Sequence, residues 1–465
     1  MALLHLRRGT GDMSMTHSDA QYKKMTETPV AALVVTLGIP TTISMLVTNI
    51  YNMADTAFVG TLGTSASGAI GVVFGYMAIL QAVGFMFGQG SGIQIARLLG
   101  QRNREAANRV ASTGFFSALL LGLLVAIGSF IALDPLLRFL GSSETILPFA
   151  REYCFYILLG APFIVGSFVL NNILRYEGLA MKAMIGLVAG AVLNIAGDAL
   201  LIFVFHMGTA GAGLATASSQ LVSFFILLHM FRSGVTQSRL SLRFVSRDIR
   251  DLLRILAMGF PSLLRQAMGS LGTILLNRCA RGYGDAAVAA MAIVNRVAMF
   301  IFAVGLGLGQ GYQPVCSFNY GAGKYSRVKK AFKATLLITM STLALFSLCV
   351  FLGATPMVRF FRDDADVIAI GVPALRYTCF TMVLMPFSVL TNMTLQSSGK
   401  ALPASFLALL RSGVYFIPLL LWLNATRGIL GIELAQPIAD VLTSLTSIPF
   451  VMHYFRSLPE ERLES

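Results

Sequence analysis

GQGSGIQIARLLG at residues 88–100 and GQGYQPVCSFNYG at residues 309–321 open on the same Gly-Gln-Gly and close on a glycine twelve residues on. The second stretch lies 221 residues after the first. The same offset, without a gap, pairs Gly38 and Pro40 with Gly259 and Pro261, Gly63 with Gly284, and Gly84 with Gly305. It continues through Pro135 with Pro356, Arg138 and Phe139 with Arg359 and Phe360, and Gly178 with Gly399. Glycine and proline are the residues that mark special backbone geometry, so matches concentrated on them point to a repeated backbone. The chain is written twice.

What is repeated is apolar. Of 465 residues, 56% are hydrophobic and 12% charged, with a mean hydropathy of +0.74. A soluble domain averages about 25% charged residues. A helical membrane span needs about 20 mostly apolar residues, and about twelve such runs can be read along the chain. They lie near 31–55, 66–96, 109–133, 153–174, 183–206 and 211–231, then 252–277, 286–316, 331–353, 367–395, 402–423 and 429–454. The runs are continuous rather than alternating, which excludes a β-barrel. An all-α polytopic membrane protein of twelve transmembrane helices is therefore expected. Six spans per half make both halves enter from the same side, giving two parallel six-helix repeats as two lobes around a central cavity. The expected divisions are a polar leader over 1–28, a first lobe over 29–231, a linker over 232–254, a second lobe over 255–456 and a tail over 457–465.

The net charge is +14. Lys and Arg cluster after alternate spans: Arg97, Arg102, Arg104 and Arg109, then Arg232 through Arg254, then Lys324, Arg327, Lys329, Lys330 and Lys333. By the positive-inside rule these loops and both termini are cytoplasmic, in a bacterial inner membrane. Topology accounts for the basic loops, so no nucleic-acid partner is expected. The leader lacks the apolar stretch of a cleavable signal, and Met13, Met15 and Met25 are alternative starts. The five cysteines have no paired spacing and the histidines no ligand spacing, so no metal site, disulfide framework or cofactor is expected. GLGLGQG (305–311) lies inside an apolar span with no preceding strand, where small residues serve helix packing. No Walker motif, HExxH or GxSxG occurs, which argues against an ATP-driven pump and against an enzyme.

Against this background an intramembrane acid stands out, since an ionised side chain at the bilayer centre costs at least about 2.5–3.5 kcal/mol. LNIAGDALLIFVF (193–205) carries Asp198 deep in the fifth run, with Asn194 one helical turn before it on the same face. Asp55 stands at the far end of the first run, beyond Pro40, whose missing N–H is expected to kink the helix. Thr216, and Asn171 or Asn172, can supply further oxygens if the spans pack as a bundle. Such a set can hold Na⁺ or share protons. At the 221 offset Asp55 and Asp198 become Leu276 and Leu419, so the acid pair belongs to one half alone.

GIP…NMADTAFVG (38–60), the Gly-Gln-Gly stretch with its basic loop, LNIAGD and GAGLAT (211–216) together resemble the MATE (multidrug and toxic compound extrusion) transporters. GFPSLLRQ and GLGLGQG are most similar to the MepA-like branch of that family. The resemblance covers nearly all of the chain after residue 30. It implies a secondary antiporter, working as a monomer, that exports amphipathic organic cations in exchange for H⁺ or Na⁺. It also implies a cation site lined by Asp55, Asn194, Asp198 and Thr216, with the family's asparagine falling on Asn171 or Asn172 and the bending point at Pro40, repeated as Pro261. Acids that some members carry in the second lobe are missing at the matching positions. The second half has instead Arg265, Arg296, Arg411, Glu433 and Asp440, of which Arg411 and Asp440 reach similar depth and are expected to pair. A lipid-linked precursor flippase of related fold is the alternative reading.

Overall fold

Helix boundaries follow the repeat almost to the residue. The computed structural model describes residues 19–459. Most of the polar leader, with Met13 and Met15, and most of the tail lie outside the described residues. The first half comprises α1 (Val30–Gly60), α2 (Thr64–Gly100), α3 (Arg104–Ile131), the short α4 (Leu133–Phe139), α5 (Leu147–Tyr176), α6 (Ala180–Asp198) and α7 (Gly208–Arg232). The second comprises α8 (Ile249–Arg281), α9 (Asp285–Gly321), α10 (Tyr325–Leu352), α11 (Ala354–Phe361), α12 (Ala365–Met382), α13 (Met385–Ser397), α14 (Ala401–Leu409), α15 (Phe416–Arg427) and α16 (Ile429–Arg456). Both ends of α2 and of α3 recur 221 residues later as the ends of α9 and α10. The starts of α4, α6 and α7 recur as those of α11, α14 and α16.

The paired glycines explain why the register is so strict. Gly63 and Gly284 precede α2 and α9 with φ of 117° and 93°, a left-handed region that other residues rarely enter. Gly178 and Gly399 turn the chain after α5 and α13 with φ of 79° and 84°. Polar side chains set the intervening starts: Asn103 accepts the Ala106 N–H at 3.1 Å, and Asp248 accepts that of Arg250 at 2.9 Å. The second half therefore begins its first helix at Ile249, inside the stretch expected to be linker.

Ten of the described helices are long and apolar enough to cross a membrane, eleven if a bent pair is one span. The bent pair is α12 and α13, which meet at 48°. The run expected over 252–277 forms α8, 33 residues long, but Arg265 and its many small or polar neighbours keep it outside that set. Pro40 and Pro261 sit inside α1 and α8, which continue through them unbroken. The expected kinks are thus not breaks here, although Pro40 still has no N–H to offer the Thr36 carbonyl.

Within the first half α5 lies innermost, with 67% of its apolar window buried. The two halves meet along α1 and α2 against α8 and α9. A side chain at Gly311 would overlap the Gly38 backbone, and one at Gly90 would overlap the Ile255 carbonyl and touch Gly259 N. A side chain at Gly100 would strike the Phe318 carbonyl, and one at Gly321 the Arg97 carbonyl. These contacts are pairs under the 221 offset, so a pseudo-two-fold axis runs through the seam. All lie in the half of each helix nearest the basic loops, and the lobes are closed at that basic end. Small residues are what allow helix backbones to approach this closely.

Candidate cation-coupling site

The first lobe gathers its polar side chains away from the seam's basic end. Asp55 from α1 accepts the Tyr153 hydroxyl of α5 at 2.9 Å. Tyr153 Oη lies 3.3 Å from Thr216 Oγ1 of α7, and Asn194 of α6 donates its amide to that same Oγ1 at 3.1 Å. Asp198 is the last residue of α6, where the helix widens into a π turn over Ala199–Val204. Such turns are rare and often mark functional positions. Asp55 is 2% exposed and Asp198 fully buried. Four sequence-expected residues, Asp55, Asn194, Asp198 and Thr216, thus come from three helices to one buried polar site.

The site is rich in acceptors that nothing satisfies. Asp55 Oδ1, Asn194 Oδ1 and both oxygens of Asp198 are buried without a hydrogen-bond partner. Buried polar atoms are almost always paired, so a cluster of orphaned acceptors asks for a species that supplies positive charge. A proton or a small cation meets that demand. A drug-sized ligand does not, because such ligands need several hundred cubic ångströms. The neighbouring cavity, lined by Thr48, Tyr51, Asn171, Gln220 and Ser223 among others, holds about 30 Å³, room for about a water.

Asn171 and Asn172 are placed differently. Asn171 donates to the Ala183 carbonyl at 2.8 Å while lining that small cavity. Its repeat mate Asn392 donates to the Ala404 carbonyl, again 221 residues on, so this bond belongs to the shared scaffold. Asn172 donates to the Phe168 carbonyl at 2.7 Å and accepts from Arg175. Neither is hydrogen-bonded to the acids. Tyr153 was not anticipated from sequence; the signal available was a phenol in a buried span, which must find a partner. Tyr51 shares a helical face with Asp55 at a spacing of four and was missed for the same reason.

In the second lobe Arg411 Nε meets Asp440 Oδ1 at 2.8 Å, and Gln436 donates to the same oxygen at 2.8 Å. The guanidinium lies 4.9 Å over the Phe302 ring. Arg411 is 20% exposed and Asp440 1%. The expected pair therefore forms, and it lies apart from the first-lobe acids. The structure also carries a π turn here, over Leu410–Tyr415, so each lobe widens its matching helix beside a charge.

Comparison with known proteins decides the family. The MatE family model matches residues 40–200 and 261–422, once in each half. The chain belongs to the MatE family. Among MatE relatives, it is 30% identical to the multidrug export protein MepA of Staphylococcus saprophyticus, over 89% of this chain and 92% of that one. It is also 30% identical to MepA of Staphylococcus aureus, covering 93% and 96%. Among solved structures it is similar to an outward-facing multidrug resistance MATE transporter of the MOP superfamily. That match has a TM-score of 0.89 and 27% identity, covering 93% of this chain and 98% of that one. It is equally similar to a MATE protein in complex with MaL6, at TM-score 0.89 and 28% identity, covering 94% and 98%. The likeness to an outward-facing relative agrees with closure at the basic end. A MatE protein is a transporter embedded in the membrane, and the resemblance to the MepA-like branch noted from GFPSLLRQ and GLGLGQG holds along the whole chain.

Proposed function

We propose that this protein is a secondary active antiporter that exports amphipathic organic cations in exchange for H⁺ or Na⁺. Asp55 and Asp198 are its coupling carboxylates, with Asn194, Thr216 and Tyr153 as neutral partners. The observation that carries the reading is the set of orphaned acceptors on Asp55, Asn194 and Asp198, sealed from solvent in the first lobe. Protons convert such acceptors to donors, and Na⁺ fills a cage of oxygens; either neutralises two acids that repel each other. Substrate does not reach these acids in the present arrangement, so ion and drug communicate through the shape of the lobe. Ion occupancy alters the packing of α1, free to bend at Pro40, and with it the substrate cleft between the lobes. The multidrug export role of the staphylococcal relatives supports the substrate class, and the 22 methionines and 33 phenylalanines provide adaptable surface for it. The basic loops place both termini on the cytoplasmic side of a bacterial inner membrane.

The driving force limits stoichiometry. A potential of ~150 mV supplies about 3.5 kcal/mol per net charge moved. One proton exchanged for one monovalent cation moves no net charge, so a second proton is needed to recruit the potential, and two carboxylates can carry it. The test is gradient-driven ethidium transport in proteoliposomes, with a pH or a Na⁺ gradient imposed separately, for wild type and Asp198→Asn. Transport that one gradient drives, and that the variant loses despite normal reconstitution, supports the reading and names the ion. Full activity in the variant overturns Asp198 as a coupling residue. Failure of wild type under both gradients turns attention to the flippase alternative.

A further inference from the structure

The chain segments that precede α1 and α8 do more at the basic end than lead into their helices. The helical segment 19–27 lies against both lobes. On the first-lobe side Gln21 donates to the Glu177 carbonyl at 2.8 Å, and the Arg102 guanidinium sits 4.3 Å over the Tyr22 ring. On the second-lobe side Tyr22 packs on Phe318 with ring centroids 5.6 Å apart, and Asn319 donates to the Met25 carbonyl at 3.1 Å. Arg327 donates to the Thr28 carbonyl at 2.7 Å, and Met25 is fully buried.

The segment before α8 mirrors this. Residues 240–248 stand 221 after 19–27, and they lead into the second lobe while bonded to the first. Arg239 N–H donates to Asn108 at 2.7 Å, Ser241 N–H to Ser112 at 3.1 Å and Ser246 N–H to Thr113 at 2.9 Å. Just upstream, the Glu177 carboxylate accepts the N–H groups of Gln237 at 2.7 Å and Ser238 at 3.0 Å, together with the Ser238 hydroxyl. Arg104 donates to the Gln237 carbonyl at 3.1 Å. Glu177 therefore holds both segments, one by its carbonyl and one by its carboxylate, and is 1% exposed.

We propose that these two segments are crossed straps that lock the basic end shut, with Glu177 as their common clasp, and that release of the straps is a required step in opening toward the cytoplasm. The inference rests on the alternating-access reading above but on neither the substrate nor the coupling ion. The reason is reach. Each strap is fastened to the opposite lobe within a few residues of its own helix: Thr28 stands two before α1 and Ser246 three before α8. At roughly 3.5 Å per extended residue the free tether is only about 7–10 Å. To open, α1 must leave α9 and α8 must leave α2, which the short tethers oppose until their bonds break. The carboxylate's bonds are charge-assisted and sealed from water, which makes them the strongest of the set.

The experiment is a distance measurement between nitroxides at Glu105 and Lys329, exposed positions beside the basic loops of the two lobes, with Cys279 and Cys349 replaced by serine. Glu177→Ala, Gln21→Ala and Arg327→Ala are compared with the parent in nanodiscs, with no substrate or gradient present. Loss of a buried hydrogen bond to a charged group is expected to raise the open, long-distance fraction about tenfold in Glu177→Ala. Smaller rises are expected in the two strap variants. If Glu177→Ala fails to fold, the strap variants decide, because Gln21 and Arg327 lie at the protein surface. Unchanged distance distributions in the folded variants overturn the proposal. A changed distribution alongside a failed transport assay leaves the straps standing and the coupling reading in error.

Discussion

Tyr153 is the residue that links the two sides of the first-lobe site, holding Asp55 and touching Thr216. Tyr153→Phe keeps the ring and deletes one donor to a carboxylate, an interaction worth about 1.5–3 kcal/mol. We expect gradient-driven ethidium transport to fall roughly tenfold or more by that measure, with expression and melting near wild type. An unchanged rate would remove Tyr153 from the site. Glu177 lends itself to a pH prediction. Burial pushes its carboxyl from the usual 4.5 up to about 7, against the pull of the Ser238 and Gln237 donors and of Arg104 on α3. A docked linker therefore holds a proton more readily than an undocked one. That preference is complete below pH 4.5 and is lost as pH rises through about 7. Hydrogen exchange at the Gln237 and Ser238 amides, corrected for intrinsic rates, is expected to be slower at pH 6 than at pH 8, and Glu177→Gln to flatten the difference. At this scale the sequence showed the acids, because a carboxylate in an apolar run has no innocent solvation. It hid Tyr153, because a tyrosine in such a run looks like any packed aromatic.

Elements carry the seam. Gly90 and Gly311 occupy matching places on α2 and α9, and each presses backbone on backbone across the lobes. Gly90→Ala or Gly311→Ala leaves the packing inside each lobe intact while forcing the basic ends apart. Maleimide labelling of a cysteine placed at Gln101, beside the seam, is expected to accelerate in either variant. It is expected not to change in Gly71→Ala, where the added methyl meets nothing. Equal labelling in all three would contradict a seam built on these contacts. In the second lobe Asp440→Asn leaves Arg411 half-buried beside a neutral partner. A broken buried pair costs about 3–5 kcal/mol, and the partial exposure of Arg411 places the loss near the lower end. Detergent melting is expected to show it, with the Arg411→Met, Asp440→Leu double variant recovering most of the loss. If the double variant melts normally but no longer transports, the pair has a transport duty. The glycine register was legible because turns and close approaches tolerate little else. The break between α12 and α13 was not, since its counterpart, α5, holds Pro162 without breaking.

Over the whole molecule the duplication builds two lobes of one plan, and their differences separate the tasks. The first lobe keeps the orphaned acids; at the matching positions the second has leucine, and its own buried acid is spoken for by Arg411. The parallel repeat and the membrane-spanning class were readable from the offset and the apolar runs. Closure at the basic end and the crossed straps were not, because they depend on which faces meet across a pseudo-two-fold axis that a linear pattern does not show. Asn171 and Asn172 show the same limit: residue type and span suggested ligands, while packing turned both toward backbone carbonyls and Arg175. The central claim is that the first-lobe acids exchange a bound cation. The most direct measurement is infrared difference spectroscopy of the carboxylic acid C=O stretch in reconstituted protein, titrated with pH and with Na⁺. Wild type is expected to show a band near neutral pH that disappears on deprotonation or on Na⁺ binding, and that Asp55→Asn and Asp198→Asn each alter. Carboxylates that stay ionised throughout, indifferent to Na⁺, in protein that still transports would contradict the account.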